Sequence, residues 1–212
     1  MPQKREQHGY AAIFAVILAF LTYMVSMEEL QNNLSDYAGH VFTYIPLLKG
    51  TRGVGGWMAV PYFMWHLLVI ALETWTPVPL EAASALISSF FAVFSFYVLY
   101  WMFHCVMQKK GWKMHGLYAG FLSFGLSVVQ PLYMYWFDTS GHYLGQFSIN
   151  PMHNPTHMCV KPFSLLCLCI VYDILEKYHN EEHTGTFIDM TCGYKKAYVS
   201  LAVILLFSCM AK

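Results

Sequence analysis

Apolar residues in this chain come in long runs separated by short polar stretches, and Trp57–Trp75 sets the pattern. Its nineteen residues, at about 1.5 Å each, reach roughly 28 Å, close to the hydrocarbon thickness of a bilayer. A tryptophan stands at each end, where amphipathic rings settle at the membrane–water boundary. Further runs at Tyr10–Met27, Ala82–Met107, Gly116–Phe137, Met158–Leu175 and the shorter Ala197–Met210 predict helices of the same kind. Gln130-Pro131 lies inside the fourth of these segments in chain order, where a kink is expected. Leu30–Leu48 is ambiguous, because only Tyr37–Leu48 is continuously apolar. It is either a polar-faced crossing helix with Asn33, Asp36 and His40 turned inward, or an interfacial piece. The pattern predicts an all-α fold, a polytopic integral membrane helical bundle of six or seven transmembrane helices. Residues 1–212 form one such domain, with no internal repeat.

Composition supports this reading. The chain is 57% hydrophobic and 11% charged, against about 25% charged in soluble domains, so most of its outside is expected to face the lipid bilayer. A net charge of zero excludes a nucleic-acid partner held through phosphate contacts. Gly50–Gly56 is glycine-rich but lacks the Lys-Ser/Thr of a phosphate loop. Cys167-Leu-Cys169 lacks the two-residue spacer of redox and zinc pairs. No cofactor is implied.

Lysine and arginine set an orientation. Lys49, Arg52, Lys109, Lys110, Lys113, Lys177, Lys195 and Lys196 fall on one side whether there are six spans or seven. The Lys109–Lys113 turn is therefore expected in the cytoplasm, and Asp138–His157, with no Lys or Arg, on the other side. An endomembrane such as the endoplasmic reticulum suits this arrangement. The orientation also sorts the polar residues by depth. Glu73, Glu81, Asp138, His142, His153 and His157 lie outside; His104, His115, Asp173, Glu176, His179 and His183 lie inside; His66 lies between. Groups about 30 Å apart cannot form one site.

Titratable groups inside a bilayer are costly, by about 2.5–3.5 kcal/mol for charged types, so something must repay them. Tyr62, His66 and Glu73 share one helical stripe of Trp57–Trp75, with His66 at its midpoint. With Gln130 and Asp138 facing them, they would form a polar pocket in an apolar bundle. A carboxyl there has a raised pKa and can donate a proton while an imidazole or second carboxylate accepts one. The expected catalytic residues are His66, Glu73 and Asp138. Tyr62, Gln130, Trp136 and Trp101 would bind substrate, the aromatics stabilising a carbocation. This chemistry suits an apolar small-molecule substrate, a lipid or isoprenoid undergoing isomerisation, cyclisation or related proton transfer.

The string from His66 to Trp75, His-Leu-Leu-Val-Ile-Ala-Leu-Glu-Thr-Trp, resembles small sterol-isomerase-type membrane proteins. The resemblance covers ten residues, departs in its His–Glu spacing, and does not place the chain in that family.

Two other functions fit the sequence. Short loops and an aromatic surface suit a non-catalytic subunit with membrane-protein partners. His153-x-x-x-His157 and His179-x-x-x-His183, with Glu176-x-x-His179, have the spacing of metal ligands on helices and suggest a metal-dependent oxidase. Against the metal, Pro155 places His153 before the helix start, and the two pairs fall on opposite sides if Met158–Leu175 crosses.

Overall fold

The structure is a computed structural model that describes residues 2–31, 36–50, 63–128, 155–180 and 195–211. These residues are largely helical, with no strand among them. In chain order they form α1 (Pro2–Gln31), α2 (Asp36–Gly39), a π-helical turn (His40–Tyr44) and α3 (Ile45–Leu48). α4 (Met64–Trp75), α5 (Leu80–Lys109), α6 (His115–Val128), α7 (Pro155–Asn180) and α8 (Lys195–Ala211) follow.

Three helical stretches are long and apolar enough to cross a membrane: Gly9–Gln31, Leu80–Lys109 and Pro155–Glu176. α4 and Ala197–Met210 are apolar but shorter. The sequence pattern predicts six or seven spans. Among the described residues, three reach that length; residues 57–62 and 129–137 of two further apolar runs lie outside the described residues. Helix α4 begins at Met64, and α6 is described only as far as Val128.

The bundle is organised around α5, against which α1, α4, α6 and α7 pack. In its first half the buried positions are mostly small (Ala83, Ser84, Ala85, Ser88, Ser89, Ala92 and Ser95), and in its second half they are larger (Phe96, Val98, Leu99, Tyr100 and Met107). α1 offers Ala11, Ala15, Leu18, Thr22 and Ser26 on one stripe and turns Ile13, Val16, Phe20 and Met24 outward. In α6, Gly116, Ala119, Gly120, Ser123 and Ser127 face inward while Phe121, Leu122 and Leu126 face outward. Small and hydroxyl side chains inside, with large apolar ones outside, is the arrangement of helices packed in lipid. Gly120 permits the closest approach: a Cβ there would lie 3.0 Å from Cδ2 of Phe14. Some of the buried hydroxyls return to the backbone, as Ser84 Oγ donates to Leu80 O at 2.8 Å and Ser95 Oγ to Phe91 O at 2.9 Å.

α5 and α6 form a hairpin. Gly111 adopts φ +71°, Gly111 N–H donates to Gln108 O and Trp112 N–H to Met107 O. This is a glycine-terminated helix end, set within the basic Lys109–Lys113 turn. Beside the hairpin, Lys109 Nζ pairs with Glu176 Oε2 at 2.5 Å, which levels the ends of α5 and α7.

α2–α3 and α4 are different. Residues 36–48 and 64–75 would each extend only about 18–20 Å at 1.5 Å per residue, short of a crossing. They run side by side in the same direction, since His40 meets His66 near their starts and Lys49 meets Glu73 near their ends. The Lys49–Glu73 distance of 2.6 Å corrects the expectation that these two residues lie on opposite faces. That expectation assumed one full crossing between them, whereas the two parallel segments end at one level.

Candidate functional site

Two features place His40. Tyr37 anchors the start of the segment, fully buried, its hydroxyl 3.1 Å from Ser88 Oγ on α5. Pro46 then has no N–H to continue the helical ladder, and its ring crowds the carbonyl four residues back. Just ahead of it the helix widens into the π turn, where Ile45 N–H donates to His40 O. Such single π turns recur at functional sites because they re-aim a side chain.

His66 is the third residue of α4, not the middle of a crossing helix. His40 Nδ1 and His66 Nε2 are 2.9 Å apart. Both residues are buried, at 6% and 0% exposure. One nitrogen must carry the proton and the other accept it, so the contact holds a single shared hydrogen and the pair cannot be doubly cationic. His40 lies outside the three long apolar helices. Burial lowers its pKa from 6.5 to about 4, and the nearby His157 imidazole acts in the same direction.

Aromatic rings surround the pair. Trp65 stands edge-on to His66 with centroids 5.2 Å apart, Tyr44 does so at 6.1 Å, and Tyr37 packs on Trp65 at 5.9 Å. The indole Nε1 of Trp65 is buried with no hydrogen-bond partner among the described residues. Leaving such a donor unsatisfied costs about 1–3 kcal/mol. A third imidazole approaches from the first turn of α7. His157 is exposed, between Thr156 (1% exposed) and the buried Met158 and Cys159. Met158 and Cys159 belong to the same buried cluster as Tyr37, Val41 and Trp65.

The remaining expected site residues are placed as follows. Glu73 is two turns beyond His66, with its carboxylate held by Lys49 Nζ at 2.6 and 2.9 Å. Trp101 is on the outer face of α5, 54% exposed. It lies thirteen residues beyond Ser88, roughly 20 Å along the axis. Tyr62, Gln130, Trp136, Asp138, His153 and His183 lie outside the described residues. His179 is in the last turn of α7. Among the described residues, no three His, Cys, Asp or Glu side chains are grouped so as to hold a metal ion.

His40, expected from the sequence only as an inward-turned polar residue of Leu30–Leu48, is absent from the expected site residues. Its signal is a histidine in the otherwise apolar Tyr37–Leu48 run, six residues before a proline. A second imidazole pair, His104 and His115, has centroids 4.5 Å apart near the α5–α6 hairpin, with His115 Nδ1 donating to Trp112 O. It is separated from the first by roughly 24 Å along α5, so the two act as separate groups. Comparison with protein-family models, with curated proteins and with solved structures finds no match to this chain.

Proposed function

We propose that this chain is a small integral membrane enzyme that moves a proton on an apolar lipid or isoprenoid substrate, with His40 and His66 as its acid–base pair. The observation that carries the reading is the 2.9 Å contact between two buried imidazoles. A neutral imidazole can accept a proton, its conjugate acid can return it, and a second imidazole in hydrogen bond spreads the charge. Aromatic rings within about 6 Å of a cation attract it, and Trp65 and Tyr44 stand at about that distance from His66. The unpartnered indole N–H of Trp65 offers a donor to a substrate oxygen. Glu73, engaged by Lys49, fixes the end of α4. In this reading the Lys109–Lys113 turn faces the cytoplasm and the chain resides in an endomembrane.

Solvent deuterium tests it. Membranes containing the wild-type protein are incubated in heavy water, and extracted lipids are compared by mass spectrometry with those from His66→Asn and His40→Gln membranes. Protonation at carbon labels one lipid species in the wild type. Each variant is expected to reduce that label by about 10²–10⁴-fold, the usual worth of a positioned acid or base. No protein-dependent label in the wild type, or equal label in both variants, overturns the proposal.

A further inference from the structure

The backbone of the α5–α6 hairpin prepares one imidazole of the second pair for a ligand. Trp112 N–H donates to Met107 O at 3.1 Å, which closes the turn and sets the Trp112 carbonyl. That carbonyl accepts the Nδ1–H of His115 at 2.9 Å. With its proton on Nδ1, neutral His115 carries its lone pair on Nε2. Histidines that ligate metals are oriented in the same way, by donating their other ring N–H to a backbone carbonyl or a carboxylate. His104, on α5, meets His115 edge to face, with ring centroids 4.5 Å apart and planes at 66°. Tyr100, one turn earlier on α5, packs on the His104 ring at 5.5 Å.

We propose that His104 and His115 chelate one divalent ion of the zinc, copper and nickel group, fastening α5 to α6 at the hairpin. Imidazole nitrogens stand about 2.0–2.1 Å from such an ion, so two rings that share it at angles from square-planar to tetrahedral have centres roughly 4.5–5.2 Å apart. The separation of this pair falls at the start of that range. Imidazole suits these ions, whereas magnesium takes oxygen ligands. Both rings are half-buried, so an ion reaches them from water and water completes its coordination. Lys109, in the last turn of α5, is paired with Glu176, which offsets the nearby positive charge.

The His40–His66 contact is of another kind. There the two facing nitrogens share one proton and both residues are buried from water. Neither His104 nor His115 belongs to a His-x-x-x-His spacing. They meet because the turn folds α6 back on α5.

Metal titration followed on individual imidazoles tests the site. Full-length protein labelled with 15N-histidine is reconstituted in bilayers, and Zn2+ alone is added while the histidine signals are recorded by magnetic resonance. A parallel sample receives Mg2+ alone. Zn2+ is expected to shift His104 and His115 together, saturating at one ion per chain, before any other of the ten histidines responds. Mg2+ should shift neither. His104→Gln and His115→Gln should each weaken the site by about tenfold or more, with unchanged His40 and His66 signals showing that the variants are folded. The thermal midpoint should rise with Zn2+ in the wild type and not in the variants, since an ion bound by the folded state alone stabilises it. A response of other histidines first, shifts that Mg2+ reproduces, or Zn2+ binding as tight in both variants as in the wild type overturns the proposal. Should a variant not fold, the wild-type titration decides by the first two of these outcomes.

Discussion

At the scale of single residues, the buried pair gives the fold a pH dependence of definite sign. His40 titrates at about 4 when folded and 6.5 when exposed. Between those values the unfolded chain binds more protons, so stability rises with pH across this window. The contribution is complete above 6.5 and lost as pH falls towards 4. The thermal midpoint of detergent-solubilised protein is therefore expected to drop from pH 6.5 to pH 4, and His40→Gln should flatten that dependence. A wild-type profile flat over the window would refute the assignment. His66 was legible in the sequence as a polar interruption of an apolar run. Its partner was not, because no spacing rule links a histidine on one short helix to one on the next.

At the scale of elements, the apolar runs gave the existence of α1, α4, α5, α6, α7 and α8, and the basic stretch Lys109–Lys113 marked the α5–α6 turn. Direction and depth were less legible. Trp57–Trp75 reads as one crossing by length, yet α4 begins at Met64, which moves His66 from a midpoint to a helix start. The parallel course of α2–α3 and α4 depends on tertiary contacts absent from any periodicity. It also changes what Glu73 is expected to do. Glu73→Gln should lower stability by at most about 1 kcal/mol, the range of half-exposed ion pairs. Proton transfer should persist in this variant, and its abolition with folding intact would return Glu73 to the reacting group. Close packing of α1 on α6 makes a second prediction at this scale. Gly125 has open space beside it, whereas a Cβ at Gly120 meets the Phe14 ring at 3.0 Å. Gly120→Ala should therefore be less stable than Gly125→Ala by about 1–3 kcal/mol, the cost of overpacking, measured as unfolding in mild detergent.

For the whole molecule, low charge and long apolar runs made membrane residence readable, and the outward Phe, Leu and Ile with inward Ser, Ala and Gly agree with it. The number of spans was not readable, since an apolar run records burial in lipid or protein and says little about whether helix continues through it. Leu80–Lys109 would extend about 45 Å at 1.5 Å per residue, so its two ends belong on opposite faces. Thr74→Cys and Lys113→Cys should accordingly react with an impermeant maleimide from opposite sides of sealed vesicles. Labelling of both from the same side would contradict a crossing by α5.

The two ion pairs, Lys49–Glu73 and Lys109–Glu176, fasten opposite rims of this assembly, each on partly exposed side chains. Dissolved electrolyte weakens such contacts with a screening length of about 8 Å at physiological strength and 3 Å at 1 M, whereas the interior imidazoles are shielded from it. Concentrated salt should thus loosen the rims first and leave the middle seated, an ordering that protease susceptibility at each end would reveal.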